Sequence, residues 1–303
     1  MIEVDEYIRI NKSFKRRFLF RVGANSGLYS EINNMLLSMA WCWNRDIQFV
    51  LDSKYANFGI GNGWTDIFKP FCDEFVMVDK GFDDYVNPRQ ITSMDSGRKG
   101  VVKRFKNDNN FDFLTNDVFS QIRKESYRSR SQCFQEMVDF ASIAYRFNDE
   151  VSARISGMVS EAIVPDRFTG FHIRRGDKSV EAAHRDVSEY VQAANSRPNN
   201  RYGYVMCDDL RVYDEIVFNN TDWTFTIDGS MSYGNGYNHW EFVHLPVDIR
   251  FEKILRLLAD IEIMKKAEFV VGTMSSNIGV FLPVYMNDQS RFIGVDSNRW
   301  IVF

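Results

Sequence analysis

Long apolar runs, paired cysteines and metal-ligand spacings are all missing from this sequence. No segment approaches the roughly 18–20 consecutive apolar residues of a membrane span, and the first twenty residues lack the apolar core of a signal peptide. The four cysteines lie far apart without a CxxC pair, and the four histidines show no zinc-ligand spacing. We therefore expect a soluble, cytoplasmic protein that is complete at Met1, has no membrane span and binds no metal.

An excess of charge of one sign is missing as well. The chain has 37 basic and 41 acidic residues, a net charge of −4, so no overall field favours nucleic acid or an anionic membrane. Two local basic patches, residues 98–106 and 123–130, are interpreted as solvated loop and helix faces rather than as polyanion sites. The length of 303 residues, with 45% hydrophobic residues, predicts roughly two domains with sizeable cores.

Strand-like apolar runs alternate with helix-like segments in both halves of the chain. In the first half we predict strands at residues 18–22 and 47–51, with a helix between them from Leu28 to Met39, where apolar residues recur at helical spacing. The second-half strands are predicted at residues 168–173, 204–207, 223–227 and 268–272, and the helices at residues 151–162, 186–194, 210–218, 251–266 and 276–286. This alternation predicts an α/β protein with parallel sheets. Between residues 58 and 141 we expect loops and helices.

A break at Val164-Pro165 gives the predicted domain boundary. Residues 1–165 form the N-terminal domain in this interpretation, and residues 166–303 form the C-terminal domain.

The densest cluster of charged groups, residues 171–181, follows a strand-like run directly. Ligands in parallel sheets bind at the carboxyl ends of strands, so this cluster is a candidate site. The adjacent guanidinium groups of Arg174 and Arg175 suit a pyrophosphate, because each offers a planar fork of donors that matches phosphate oxygens. Glu181, six residues beyond the second arginine, is a candidate base beside an anionic leaving group.

Two strand-to-helix turns are further candidate anion sites. The turn of residues 23–27, which contains Gly23 and Asn25, presents N–H groups at a helix start. The turn after the last predicted strand carries the hydroxyls of Ser275 and Ser276, followed by Asn277. The alternative for this second turn is simple capping of the helix.

Carboxylates follow a strand and flank a helix elsewhere in the second half. Asp208 and Asp209 are adjacent, which is the wrong spacing for a metal-binding DxD motif, so we interpret them as capping and orienting groups. Asp260 lies beside the apolar face of its predicted helix, where a carboxylate can accept the paired N–H donors of a guanine edge. The alternative is an exposed polar flank, or a salt bridge to Lys253 or Arg256.

These motifs, in their order along the chain, resemble those of the α1,6-fucosyltransferases. This family comprises the enzymes that core-fucosylate N-glycans and the bacterial relatives that act on Nod factors. Residues 172–178 and 181–183 resemble the H-V-R-R-T-D-K…E-A-A segment of that family, and residues 206–209 look like its A-T-D-D strand end. Residues 259–261 and 267–277 are similar to L-D-I…A-D-F-L-V-C-T-F-S-S-Q. Residues 23–28 and 62–70 look like the Gly-rich turn and the G-G-W-E-T-V-F-K-P stretch.

The resemblance implies a GT-B-like fold of two Rossmann-like domains that face a central cleft, with the acceptor on the N-terminal side and the nucleotide sugar on the C-terminal side. It implies an inverting glycosyltransferase that moves fucose from GDP-fucose to a glycan hydroxyl without a metal ion. The nucleotide sugar and the glycan acceptor are then its partners.

The site residues that the resemblance implies fall into a donor-binding set and a catalytic set. The donor-binding set is His172, Arg174, Arg175, Gly23, Asn25, Asp260, Ser275, Ser276 and Asn277. Within it, Arg174 holds the β-phosphate, and His172 and Asp260 read the guanine. The catalytic set is Glu181, Lys178, Asp177 and Arg174, with Glu181 as the base and Lys178 orienting it.

The chain departs from the family pattern at four places. One residue is missing between Lys178 and Glu181, which makes Asp177 the alternative base, and Gly176 replaces a threonine. Residues 230–244 have no counterpart in the family. The missing C-terminal SH3-like domain argues against complex N-glycans as acceptors. The alternatives are another donor such as UDP-xylose, a nucleotide-sugar-binding or glycan-binding protein without activity, and a truncated Golgi-type catalytic domain.

Overall fold

The computed structural model describes residues 2–23, 26–54, 56–75, 111–113, 116–176, 184–228 and 236–300. The chain divides into two compact units, Met1–Asn148 and Asp149–Phe303. The sequence-based boundary after residue 165 lies behind the helix Asp149–Glu161, whereas the structural division lies ahead of it. This helix groups with the second unit because it packs against the long helix Val247–Lys266.

The first unit is built on a small parallel sheet. Its described elements are α1 (Val4–Ser13), β1 (Arg16–Arg21), α2 (Leu28–Trp43), β2 (Ile47–Asp52), β3 (Phe111–Phe113), α3 (Asn116–Arg128) and α4 (Arg130–Ala144). The strands are ordered β2-β1-β3. The two strands and the helix predicted at the start of this unit are confirmed. Helix α1 was not predicted, and β3 lies in the stretch where we expected only loops and helices.

Helix α1 covers the edge strand β2 through one side chain. The Phe49 N–H donates to Asn11 Oδ1 at 2.8 Å, and Asn11 Nδ2 donates to the Phe49 carbonyl oxygen at 2.9 Å. The asparagine amide thus occupies the place of a neighbouring strand, and it satisfies backbone groups that an open edge would leave exposed.

The second unit is built on a five-stranded parallel sheet. Its elements are α5 (Asp149–Glu161), β4 (Thr169–Ile173), α6 (Val187–Asn195), β5 (Tyr202–Cys207), α7 (Leu210–Asn219), β6 (Thr224–Thr226), α8 (His239–Val243), α9 (Val247–Lys266), β7 (Phe269–Gly272), α10 (Asn277–Met286) and β8 (Phe292–Gly294). The strands are ordered β6-β5-β4-β7-β8, and all neighbours are parallel. The four predicted strands and the predicted helices are confirmed in this unit, whereas β8 and the short α8 were not predicted.

The register of the central strands brings three strand ends together. His172 in β4 is aligned with Met206 in β5 and with Gly272 in β7. Because the three strands run in the same direction, the residues that follow them leave the sheet at one edge. The carboxyl edge of this sheet is therefore where the predicted polar clusters of the second unit meet.

Two features of the described residues bear on the sequence-based expectations. No helix in this part of the chain combines the length and the apolar composition that a membrane crossing needs. The four cysteines, all within the described residues, form no disulfide bond.

Candidate functional site

The candidate site is the carboxyl edge of the five-stranded sheet in the second unit. Of the predicted site residues, those that the structure brings to this edge are His172, Arg174, Arg175, Ser275, Ser276 and Asn277. Four predicted residues, Asn25, Asp177, Lys178 and Glu181, lie outside the described residues, so their roles stay predictions.

Asp208 fixes the turn that follows β4. Its carboxylate accepts an ion-pair hydrogen bond from Arg174 Nη1 and a hydrogen bond of 2.7 Å from the Arg175 N–H. The same carboxylate accepts the Tyr237 N–H at 3.1 Å. The side chains of Arg174 and Asp208 are only 16% and 10% exposed, so the pair is largely shielded from screening by water. The predicted orienting role of Asp208 is confirmed.

Asp209, the second carboxylate after β5, binds its own helix instead of the turn after β4. It caps α7 by accepting the Arg211 N–H at 3.0 Å, and the Arg211 side chain also binds it. These hydrogen bonds, led by that of the Arg211 side chain, lower the pKa of Asp209. The predicted capping role is confirmed, and the two adjacent aspartates divide the two roles between them.

The two adjacent arginines have different surroundings. The charge of Arg175 lowers the pKa of Asp186 and of Asp209, although hydrogen bonds within those caps are the larger cause. One nitrogen of Arg175, Nη1, is buried without a hydrogen-bond partner among the described residues. Arg174 instead pairs with Asp208. The sequence predicted that the two guanidinium groups bind one pyrophosphate together. In the structure, the guanidinium groups of Arg174 and Arg175 do not have the same hydrogen-bond partners.

His172 is a neutral imidazole at the end of β4. It is 2% exposed, and burial, followed by the charge of Arg174, lowers its pKa to about 3, while Asp296 opposes the shift. Its Nδ1 is buried and has no hydrogen-bond partner within the described part of the chain. A neutral imidazole offers one donor and one acceptor, so His172 has polar capacity that the protein itself leaves unused.

The turn after β7 is held by a carboxylate from the end of the sheet. Asp296 accepts the Met274 N–H at 2.7 Å and the Ser275 N–H at 3.0 Å. The Ser275 hydroxyl is buried without a partner among the described residues. Asp296 was not predicted as a site residue, because it lies 21 residues beyond Ser275 and the pairing of β8 with β7 brings it back to this turn.

Ser276 begins α10. Its Oγ accepts the Gly279 N–H at 2.9 Å, so the capping interpretation of this turn is confirmed. A hydroxyl has one donor and two acceptor positions. Capping uses an acceptor position, and the Ser276 O–H is still able to donate to an anion at the start of the helix.

Asp260 is neither an exposed flank nor a partner of Lys253 or Arg256. It is 1% exposed, and its Oδ1 accepts the hydroxyl of Tyr204 at 2.5 Å. Its Oδ2 is buried without a hydrogen-bond partner in the described residues. Burial raises the pKa of Asp260 to about 7, against the hydrogen bond from Tyr204, which lowers it.

Asp228 and Arg256 form the surroundings of this carboxyl group. Asp228 raises the pKa of Asp260 and Arg256 lowers it, and the two side chains lie 3.7 Å apart as a loose ion pair. Arg256 thus acts on Asp260 at a distance, while Tyr204 contacts it directly. Arg256 was predicted only as an alternative salt-bridge partner, and Tyr204, which strand β5 supplies, was not predicted.

Gly23, the remaining predicted residue, belongs to the first unit. Its φ is +72°, and a Cβ there would lie 2.6 Å from a ring carbon of Phe58 and 2.8 Å from the Cβ of Ala56. The turn after β1 therefore requires glycine for both its backbone angle and its close packing.

A metal centre is not assembled by the described residues. No group of three or more histidine, cysteine, aspartate or glutamate side chains in that part of the chain has the arrangement to hold an ion.

The chain is similar in three dimensions to solved fucosyltransferase structures. NodZ α-1,6-fucosyltransferase soaked with GDP-fucose has a TM-score of 0.52 and 12% identity, over 89% of this chain and 93% of that one. POFUT1 in complex with GDP-fucose has a TM-score of 0.51 and 12% identity, over 92% and 98% of the two chains. A variant of Arabidopsis thaliana FUT1 in complex with GDP has a TM-score of 0.52 and 10% identity, over 90% and 69%.

At the level of sequence, neither a protein-family profile nor a curated protein matches the chain. The structural likeness nevertheless extends over about nine-tenths of it. The GT-B-like α/β fold that the family resemblance implied is confirmed, because the solved fucosyltransferase structures share the fold of this chain.

Proposed function

We propose that this protein is an inverting glycosyltransferase that moves fucose from GDP-fucose to a glycan hydroxyl without a divalent metal ion. The observation that carries the proposal is the cation of Arg174, fixed at the carboxyl end of β4 in a fold shared with fucosyltransferases. One of the similar structures was soaked with GDP-fucose and another is a complex with GDP-fucose, which supports this choice of donor.

The diphosphate of the donor is assigned to Arg174 and to the start of α10. Arg174 neutralises charge that develops on the β-phosphate as GDP leaves, which is the stage at which a fixed cation accelerates transfer most. The Ser276 hydroxyl and the Asn277 end of the helix add donors and the positive end of the helix dipole. Ser275 adds a buried hydroxyl. The donor-binding roles of Gly23 and Asn25 that the family resemblance implies stay predictions.

The guanine is assigned to His172 and Asp260. Both are almost fully buried, and each keeps one polar atom without a partner among the described residues. Leaving such atoms unsatisfied costs free energy, so a ligand that supplies the missing hydrogen bonds gains affinity. Guanine carries adjacent N–H donors, which match the carboxylate oxygens of Asp260.

The acceptor hydroxyl is assigned to a carboxylate base. In the proposed step, Glu181, oriented by Lys178, takes the proton as the acceptor oxygen attacks the anomeric carbon. GDP leaves from the opposite face with the electron pair of the glycosidic bond, so the configuration inverts. Asp177 is the alternative base, because the chain is one residue shorter before Glu181 than the family pattern.

Nucleotide binding tests the donor. We expect GDP to raise the melting temperature more than UDP does, since a ligand that binds only the folded state stabilises it. Stabilisation by UDP and not by GDP would overturn the assignment of guanine to His172 and Asp260. Transfer that is lost in EDTA and restored by a divalent ion would overturn metal independence.

Two variants test the catalytic roles. Arg174→Ala should remove nearly all transfer and weaken GDP binding, whereas Arg201→Ala, an exposed arginine paired with Asp222, should change neither. Glu181→Gln should lower turnover while GDP binding stays intact. Normal turnover of Glu181→Gln would move the role of base to Asp177. Absence of both transfer and donor hydrolysis in the unmodified protein would favour a binding protein instead.

A further inference from the structure

Residues 236–239 lie against the turn that carries Arg174, although residues 230–244 have no counterpart in the motifs of the fucosyltransferases. The contact is between backbones. A Cβ on Gly236 would lie 2.4 Å from the Cα of Gly176, and a Cβ on Gly176 would lie 2.4 Å from the Tyr237 carbonyl oxygen. The φ angles of the two glycines are +89° and +51°. The close approach requires glycine at both positions. At the position of Gly176, the family pattern has threonine.

One carboxylate joins the two segments. Asp208 accepts the Arg175 N–H from the turn after β4 and the Tyr237 N–H from residues 236–239, and it also pairs with the Arg174 side chain. The position of Arg174 and the position of residues 236–239 are therefore set by the same anion.

The ring of Tyr237 covers the guanidinium group of Arg174. The Cζ atom of Arg174 lies 5.1 Å from the ring centroid, within the range of a cation–π contact. The contact restrains a long, flexible side chain from one side, while Asp208 restrains it at Nη1. A guanidinium group held in this way loses less conformational entropy when it binds a ligand.

The ring of Tyr237 is itself held in place. Its hydroxyl forms a hydrogen bond of 2.9 Å with His239 Nδ1, and its ring centroid lies 5.7 Å from that of Phe242, which is 5% exposed. The beginning of α8 thus fixes the ring that covers Arg174.

We propose that Tyr237 is a positioning residue for Arg174: its ring holds the guanidinium group in the orientation that receives the terminal phosphate of a nucleoside diphosphate. This inference rests on the proposed function, because it takes Arg174 as the ligand of the β-phosphate. It adds a residue that lies outside the recognisable motifs and acts through Arg174 rather than on the substrate.

Binding of GDP and of GMP to Tyr237→Leu tests the inference. GMP lacks the β-phosphate, so only GDP affinity depends on the orientation of Arg174. We expect the Kd of GDP to rise about tenfold in this variant, within the range of a partly desolvated cation–π contact, and the Kd of GMP to stay within about twofold. Isothermal titration calorimetry measures both.

Three further variants separate positioning from folding. Tyr237→Phe loses the hydrogen bond to His239 but keeps the ring and its packing against Phe242, so both affinities should stay close to those of the unmodified protein. Tyr213→Leu removes a tyrosine of the same unit whose hydroxyl donates to the Phe225 carbonyl oxygen, and it should leave both affinities unchanged in the folded protein. If Tyr237→Leu does not fold, Tyr237→Met replaces it, because the flexible thioether fills the space without an aromatic face.

Unchanged GDP affinity in a folded Tyr237→Leu, or an equal loss for GDP and GMP, would overturn the positioning role while leaving the proposed function in place. Failure of the unmodified protein to bind GDP would overturn the proposed function itself, and the positioning role with it.

Discussion

Two buried aspartates, one in each unit, are neutralised in different ways. Asp52 at the end of β2 and Asp260 in α9 are each 1% exposed. Asp52 Oδ2 accepts Nε and Nη2 of Arg21, both at 2.8 Å. Asp260 contacts no cation directly, accepts only the Tyr204 hydroxyl among its described partners, and has a pKa raised to about 7.

The difference shows two ways in which a buried carboxyl group is kept stable. A buried carboxylate is stable when a cation and hydrogen bonds accompany it, and otherwise it takes up a proton. The first unit supplies the cation to Asp52 from its own strand β1. Asp260 in the second unit has no cation in direct contact among the described residues, and its raised pKa favours the protonated form.

The largest expected effect comes from removing the cation that accompanies Asp52, so that Asp52, like Asp260, has no cation in direct contact. Arg21→Met leaves the buried carboxylate without its cation, and we expect a loss of about 3–5 kcal/mol in the free energy of unfolding. The loss should be smaller at about pH 4 than at about pH 8, because acid neutralises the carboxylate. Urea unfolding at the two pH values measures this.

The double variant Arg21→Met with Asp52→Leu is the control for that experiment. It replaces the whole pair with apolar groups, which often restores stability. If the double variant loses more free energy of unfolding than Arg21→Met, the pair is not held together by its charges in the way that the comparison requires.

A second experiment replaces Asp260 with asparagine, which does not titrate. In the folded protein its pKa lies about three units above that of an ordinary aspartate, so the folded state holds a proton that the unfolded chain has already released. The contribution of Asp260 to stability therefore falls as the pH rises from about 4 to about 7, by ~4 kcal/mol at about 1.4 kcal/mol per pH unit.

Asp260→Asn should abolish this fall while keeping an oxygen that accepts the Tyr204 hydroxyl. We expect the variant to match the unmodified protein at about pH 4 and to exceed it at about pH 8. Urea unfolding across the pH range gives the two curves. Parallel curves would show that Asp260 does not titrate in this window.

The smallest expected effect concerns Asp66, whose carboxylate is stabilised by backbone N–H groups. In the first unit, Asp66 Oδ2 accepts hydrogen bonds from four consecutive backbone N–H groups, those of residues 60–63, at 2.7–3.0 Å. Asp66→Ala should cost about 1–2 kcal/mol of unfolding free energy, as the loss of a helix cap does, because water replaces the carboxylate at this partly exposed loop. Asp66→Asn keeps an acceptor oxygen and should cost less. An equal loss in both variants would mean that the charge, and not the oxygen alone, holds the four N–H groups.

The elements of both sheets and several local roles could be predicted because they depend on neighbouring residues. Apolar runs placed β1 and β2, and apolar residues at helical spacing placed the helix between them. The adjacency of Asp208 and Asp209 was enough to predict capping and orientation rather than metal binding. The hydroxyl of Ser276 caps α10 three residues ahead, within reach of a sequence motif.

The remaining parts of the site depend on contacts between distant residues. The hydroxyl that Asp260 accepts comes from Tyr204, 56 positions earlier, and the N–H that Asp208 shares comes from Tyr237, 29 positions later. Helix α1 was missed as well, and its attachment to the sheet depends on Asn11, which binds Phe49 in β2, 38 positions away. Such partners are set by strand order and packing, which local periodicity does not encode.

The hydrogen bonds that Asp296 accepts from the turn after β7 affect how fast an anionic ligand binds at this edge of the sheet. Because this carboxylate already occupies the Met274 and Ser275 N–H groups, the turn keeps its shape without help from an incoming anion. A loop that is ordered beforehand adds no folding step to the encounter. We therefore expect the association rate of an anionic ligand at this edge to be governed by diffusion and not by a rearrangement of the turn.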